Sequence, residues 1–431
     1  MKKLKFHILI TLIFILTFPT NVLADTPPNS PDLIAKSAIS IDLDTNEIIY
    51  TQNINLKSFP ASLTKLMTGL LLAENNDKTD TLAYTKSAKE QDPYTYNYNI
   101  HPVKIGDEMT ADMVMDSLLL FSANDIAYMV ADNVSGDAKN FSIKMNEKAK
   151  QLGMKNTNFV TANGLDDYTD DHYTTAYDLT KLVKAVYLNP WMIESMNKET
   201  SVVNFINGPK ATLTNRNKIL GIDGNIGGKT GFTDKAGRCF IAIYERDGRH
   251  IAGIVLNSEY NYPEDTKVFE DMEKLIDWSY EAKKDTLIKK NTVLETATLT
   301  YIPLPFWKEK EVEIDLEVRE DITYYNNDIK IKQSLQIDEL DIEKLDSNTS
   351  FGTLTVTQGE SSKSYNLYPT ITKEDLKQQD KPLYITAYAL VAFLIILVLI
   401  ILIFLIKTFK KRSNYNSKNK IKFGKNRNMR F

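Results

Sequence analysis

A hydroxyl and an amine stand three residues apart, Ser62 and Lys65, in the run Pro60-Ala61-Ser62-Leu63-Thr64-Lys65-Leu66-Met67-Thr68. Three residues is close to one helical turn, so both side chains project from the same face, near enough for the amine to take the hydroxyl proton. That is the chemistry of an activated serine nucleophile. Proline suits the first turn of a helix, and Leu66 to Leu72 reads as a buried helix. Ser62 then falls where backbone N–H groups converge and the helix dipole favours negative charge. Ser-x-x-Lys also arises by chance in long chains, so its meaning depends on what else the sequence supplies.

Beyond residue 24 the only histidines are His101, His172 and His250, and no serine lies in Gly-x-Ser-x-Gly. A Ser–His–Asp hydrolase is therefore disfavoured, and no His/Cys cluster has metal-ligand spacing, so neither metal nor cofactor is expected. An amine must activate Ser62. An ordinary lysine, with a pKa near ~10.4, is charged at neutral pH and cannot. Burial and a second cation both lower that value. Lys229, on a strand bordered by glycines, supplies such a cation; Ser122 would relay protons between the two lysines, and Asn124 would hold a substrate amide. Each also has a plainer reading, Ser122 and Asn124 as a helix kink or cap and Lys229 as an exposed edge charge.

The elements that must position these residues follow a coherent order. Ala38 to Tyr50 reads as a β-hairpin, and Ser62 to about Glu74 as a helix. Residues 79–108 look like a strand-and-loop insertion in which Tyr94, Tyr96 and Tyr98 alternate. Thr110 to Val134 is helical in pattern but interrupted at Ser122-Ala123-Asn124. Helices are expected at 138–153 and at Thr175 to Tyr187, and a glycine-rich approach leads into Lys229-Thr230-Gly231-Phe232. Asp247-Gly248 between two β-rich runs is a hairpin signal, and 264–283 is a last amphipathic helix. Residues 33–283 thus read as one mixed α/β (α+β) domain with helices packed on an antiparallel sheet. From Asn291 to Tyr368 the apolar period becomes two, which marks a small all-β module (290–370), a spacer or docking domain without a constellation of its own.

Both ends concern membranes. Lys2, Lys3 and Lys5 precede an apolar core too short to span comfortably, and Val22-Leu23-Ala24 resembles a cleavage site, so 1–24 reads as a signal peptide. Leu383 to Ile406 carries no charge over 24 residues; at about 1.5 Å per residue it is long enough to cross a bilayer. The tail 407–431 holds ten Lys and Arg and no acid, which places it in the cytoplasm and the body outside the cell, at the wall side of a single-pass anchor. Composition is ordinary for globular protein, 43% hydrophobic and 25% charged. Net charge is −4; with the ten tail cations and the three at the head removed, residues 25–382 carry −17, which disfavours nucleic acid as a partner. The lone cysteine, Cys239, rules out an intrachain disulfide and reads as a packed residue.

Taken together, Ser62-x-x-Lys65, Ser122-x-Asn124 and Lys229-Thr230-Gly231 are the three signatures of penicillin-recognising serine enzymes. The surrounding PASLTKLMT, SANDIA, NGLDD…HYTTAYDL and GGKTGFTDKAGRC resemble one branch, the serine-type D-alanyl-D-alanine carboxypeptidases or low-molecular-mass penicillin-binding proteins. The resemblance covers residues 33–283 strongly and the β module loosely. It implies that Ser62 is the acylated nucleophile, Lys65 its general base, and Ser122 the group that helps protonate the leaving amine. Asn124 would line the opposite wall, and Lys229, Thr230 and Gly231 the carboxylate side of the site. The backbone N–H groups of Ser62 and Phe232 would form the oxyanion hole, and Arg216 would meet the terminal carboxylate of the substrate. The implied activity is removal of the terminal D-alanine from peptidoglycan stem pentapeptides, with a role in cell-wall biogenesis and cell shape and with β-lactams as inhibitors. Many relatives end in an amphipathic helix lying on the membrane, whereas this chain ends in a full span.

A β-lactamase on the same fold is one rival. The class A type needs a glutamate to activate water, and between Ser122 and Lys229 only Glu147, Glu194 and Glu199 occur, none in a suitable loop. The acids near that place are Asp166, Asp167, Asp170 and Asp171. A non-catalytic wall scaffold is the other rival, and the intact set of motif residues argues against it.

Overall fold

The computed structural model describes residues 30–425; the expected signal peptide and the tail residues Arg427 and Arg430 lie outside them. A five-stranded antiparallel sheet organises the first domain. Its strands are β1 (Ser37–Asp42), β2 (Ile48–Gln52), β3 (Asn225–Thr233), β4 (Gly237–Arg246) and β5 (Arg249–Ser258), in the order β2-β1-β5-β4-β3. The β4–β5 hairpin closes at Asp247-Gly248, both with positive φ, the twist that a two-residue hairpin loop needs.

Strand alternation buries both faces of this sheet. Ile39 and Ile41 of β1 and Cys239, Ile241 and Ile243 of β4 face a large core shared with most of the helices. Ala38 of β1 and Phe240, Ala242 and Tyr244 of β4 face a second core, closed by Met272, Leu275 and Ile276 of the helix Lys267–Glu281. The result is three layers, helix–sheet–helix. The first core also holds α1 (Lys65–Asn75), entered through a single 3-10 turn, Ala61–Thr64. Leu66, Met67, Leu70, Leu71 and Leu72 are all buried there, each contributing about 1.5–3 kcal/mol. Cys239 is packed in this layer, and burial pushes its thiol up to about 12, so it is unreactive.

The expected break at 122–124 takes a specific form. A helix over Ala111–Asp116 widens into a π-type turn, Ser117–Phe121; Ser122 adopts a left-handed conformation (φ 70°, ψ 36°), and α2 begins afresh at Asn124 and runs to Ser135. The 79–108 insertion departs from expectation. Thr81–Ala83 pairs with Glu108–Thr110 as strands, but the alternating tyrosines are not extended. Thr95 caps a one-turn helix, Tyr96–Asn99, and Asp125 draws the Tyr96 and Asn97 N–H groups onto its carboxylate, which overrides the period-two pattern. The helix Pro190–Met196 and the hairpin of Thr200–Val203 with Ala211–Thr214 had no counterpart in the sequence reading.

The β module forms a five-stranded antiparallel sheet in the order 293–301, 310–317, 361–369, 352–358, 331–337, around its own core of Ile314, Leu316, Val318, Leu354 and Leu367. It is bolted to the first domain through Glu47. That carboxylate opposes its own burial by accepting from Lys284 and from Lys363 of the module, which together hold its pKa below the usual range. The final helix runs Lys381–Lys425 without a break, and within it Lys381–Ser413 is long and apolar enough to cross a membrane.

Gly164 shows how tightly the site is assembled. Its φ is +91°, and a Cβ there would lie 1.8 Å from the Ala61 carbonyl oxygen. We expect Gly164→Ala to lower stability by about 2–4 kcal/mol. Gly106→Ala, at a similar φ of +90° but with nothing within 4 Å, should lose only about 1–2 kcal/mol. Urea unfolding of both variants checks this; equal losses would remove the close approach as a constraint.

Candidate active site

Ser62 occupies the 3-10 turn ahead of α1, half-exposed, directly after Ala61, whose φ of +48° is strained for a residue with a Cβ. The turn sets Lys65 Nζ 3.0 Å from Ser62 Oγ. The same amine lies 2.7 Å from Asn124 Oδ1 and 2.8 Å from the Asn163 carbonyl oxygen. Asn124 Nδ2 donates to the Pro93 carbonyl at 2.6 Å, which fixes the amide orientation and turns its oxygen to Lys65. Asn124, expected to hold a substrate amide, also ties the amine to the 93–94 loop. Lys65 is wholly buried; that burial, then the charges of Lys229 and Arg216, pull its pKa well down, with Asp125 opposing.

Lys229 reaches in from β3, the outermost strand of the sheet, and donates to Ser122 Oγ at 2.9 Å and to the Thr230 carbonyl. Burial first and Arg216 second push its pKa down as well. Ser122 therefore touches Lys229, and the structure gives it no hydrogen bond to Lys65; a direct relay between the lysines is not formed in this state. Gly231 brings the edge of β3 against the Ser62 turn: a Cβ there would sit 3.2 Å from the Ser62 nitrogen and 3.2 Å from the Pro60 carbonyl oxygen. The Ser62 nitrogen and Gly231 of β3 thus lie side by side, with Phe232 next along the strand. Arg216 follows the Ala211–Thr214 strand, its guanidinium over the rings of Phe121 and Tyr94 at 4.9 and 5.4 Å. Among the described residues it has no ion-pair partner within 4 Å, so a half-buried cation faces the cleft without an anion. Ser62, Lys65, Ser122, Asn124, Lys229 and Gly231 are brought together here with Arg216 nearby, whereas the Phe232 ring packs on Tyr260 and Arg238; no metal-holding cluster is present among the described residues.

Several contributors were not singled out. The 160–172 loop is laced to α1 by Thr68 Oγ1 donating to the Ala162 carbonyl, and to β3 by Thr233 Oγ1 donating to Asp166. Asp170 is engaged by Lys235, in the turn that follows β3. The Asn-Gly pair at 163–164 was the only hint that a carbonyl would be turned inward. Asp125, beside Asn124, accepts from Tyr84 Oη and from the Tyr96 and Asn97 N–H groups, fixing the loop that carries Pro93. His172 Nδ1 accepts from the Val160 N–H, leaving Nε2–H for Thr64 Oγ1 at 2.9 Å.

A serine held by a buried, pKa-depressed lysine, beside a Ser–Lys pair and a strand edge, matches one family. The model of Peptidase S11, D-alanyl-D-alanine carboxypeptidase, matches residues 24–260. The chain belongs to that family. It is thus a serine-type peptidase, and neither rival reading is favoured. D-alanyl-D-alanine carboxypeptidase DacF of Bacillus subtilis is 27% identical over 354 residues, 78% of this chain and 86% of that protein. The ampicillin-bound structure of penicillin-binding protein D2 from Listeria monocytogenes is 32% identical, with a TM-score of 0.51 over 57% of this chain and 98% of that one. The DacD structure from Francisella tularensis, 21% identical with a TM-score of 0.58, extends the likeness in fold to 81% of this chain.

His172 gives the carboxypeptidase site a pH limit. Burial lowers its pKa from 6.5 to about 4, so the unfolded chain binds its proton more tightly. Its contribution is full above pH 6.5 and drains away as pH falls towards 4, about 3 kcal/mol in all. We expect His172→Gln, which keeps a donor but does not titrate, to flatten the loss of stability between pH 6.5 and 4.5 in urea unfolding. An unchanged slope would contradict this.

Proposed function

We propose that the protein removes the terminal D-alanine from peptidoglycan stem pentapeptides through an acyl-enzyme on Ser62. The observation that carries this is the environment of Lys65 Nζ. Asn124 Oδ1 and the Asn163 carbonyl can only accept, so they take the two hydrogens of a neutral amine, and the lone pair is left facing Ser62 Oγ. The repulsion between the two buried lysines is mutual and favours one of them neutral; Lys65, which adjoins Ser62 Oγ and is held by two acceptors, is the one that serves as base.

Ser62 Oγ attacks the carbonyl of the penultimate D-alanine, its proton passes to Lys65, and the oxyanion meets the N–H groups of Ser62 and Phe232. The tetrahedral species collapses as the terminal D-alanine leaves; its nitrogen takes the proton that Lys65 received, passed through the Ser122 hydroxyl with the bound substrate in place, so Lys65 returns to the neutral amine while Lys229 keeps its charge beside Ser122. Water then hydrolyses the ester with Lys65 as base. Arg216, with Lys229, Thr230 and Gly231, receives the terminal carboxylate, the anion that the unpaired guanidinium lacks. A β-lactam, whose ring amide mimics the scissile bond, acylates the same serine.

In this reading residues 33–283 are the catalytic domain, 290–370 a β domain and 383–406 a single span. The basic residues from 407 lie in the cytoplasm, and 1–24 direct export, so the cleft works on the wall side of the cell membrane. Ser62→Ala is expected to cut D-alanine release from a D-Ala-D-Ala peptide by at least ~10³-fold and to abolish covalent β-lactam labelling. Labelling of the native protein without release would sink the proposed substrate while keeping the nucleophile.

A further inference from the structure

The hairpin of Val293–Tyr301 with Lys310–Glu317 ends in a loop, residues 302–309, that has no role in the site. It reads Ile-Pro-Leu-Pro-Phe-Trp-Lys-Glu, and its apolar side chains are turned to solvent: Ile302 is 57% exposed, Trp307 50% and Phe306 fully. Phe306 also has φ of +67°, a backbone state that a bulky residue avoids. A fully exposed phenylalanine held in a strained turn is a feature that water alone does not favour.

The base of this loop is bolted to the start of the final helix. Tyr301 Oη and Lys310 Nζ, opposite each other at the hairpin end, both donate to Asp380, at 2.5 and 2.6 Å. One helical turn further on, Tyr384 Oη donates to the Pro303 carbonyl at 2.8 Å. Asp380 and Tyr384 are one helical turn apart and their partners Tyr301 and Pro303 two residues apart, so the loop leaves the hairpin alongside the first turn of the helix. Phe306 and Trp307 follow Pro303 by three and four residues, so they lie near the helical turn that carries Tyr384, where the apolar run begins.

We infer that the 302–309 loop is a second membrane contact, its Phe306 and Trp307 rings seated in the interfacial layer of the outer leaflet beside the span. This rests on reading the final helix as a transmembrane segment. Aromatic rings belong at that depth, and Lys308, next in sequence and exposed, is placed to meet lipid phosphate. With the helix as one attachment and the loop as another, the β domain stands in a set orientation on the bilayer, and through Glu47 it passes that orientation to the catalytic domain.

The test uses the full chain in liposomes of phosphatidylcholine and phosphatidylglycerol, with an environment-sensitive fluorophore on single cysteines. Buried Cys239 stays unlabelled. Phe306→Cys tests the loop, Leu397→Cys reports the span, and Tyr168→Cys, fully exposed on the catalytic domain, reports water. We expect the label at 306 to be quenched by nitroxide lipid of shallow depth and to be at least about threefold less accessible to iodide than that at 168. A label at 397 should respond to deep nitroxide lipid. Iodide access at 306 equal to that at 168, with 397 in lipid, overturns the loop contact alone. Shielding at 306 without lipid quenching would put protein there and overturns it too. Water access at 397 overturns the span, and this inference with it.

Discussion

A buried amine with no counter-charge in contact is the constraint on which this site depends. Lys65 Nζ is wholly enclosed, two cations stand near it, and its three polar neighbours are a hydroxyl, an amide oxygen and a backbone carbonyl. A buried ammonium of this kind is costly without a carboxylate, whereas a neutral amine is satisfied by two acceptors and one donor. The arrangement therefore favours the protonation state that chemistry requires. It also states what the fold must do: bring one atom each from the Ser62 turn, the 160–172 loop and the start of α2 to the same amine.

Local strain is found where those pieces meet. Ala61 and Ser122 both hold left-handed conformations, and Gly164 presses on the Ala61 carbonyl so closely that no side chain fits. These positions are held by neighbours rather than by their own preference. Asp125 fixes the Pro93 loop, Thr68 ties the 160–172 loop to α1 and His172 ties it to the Ser62 turn, and the sheet presents β3 through Gly231. Each wall of the cleft is thus held by contacts with its neighbours.

Much of this was legible from residue types. Ser62, Lys65, Ser122, Asn124, Lys229 and Thr230 are side chains whose chemistry and spacing announce themselves, and the sheet hairpins carried their period-two patterns and turn residues. The Asn163 and Pro93 carbonyls were not legible, because a backbone oxygen has no residue signature. The role of His172 was hidden for another reason: its partners are 12 and 108 residues away, and only the packed fold brings them together. Tyr96 shows the opposite error, where an alternating pattern was overruled by the Thr95 cap and the Asp125 carboxylate. The aromatic loop at 302–309 sat inside a strand-rich stretch, and its meaning depended on the Tyr384 contact.

The most direct measurement of the central claim is the protonation state of Lys65 in the free enzyme. Protein with ¹⁵N-labelled lysine, compared with Lys65→Ala to assign the signal, can be titrated across the pH range in which a β-lactam acylates Ser62. The account predicts a neutral-amine Nζ resonance for Lys65 throughout that range, becoming an ammonium only on acidification as acylation is lost. An ammonium resonance where acylation is fast would contradict it, and would require another base for Ser62.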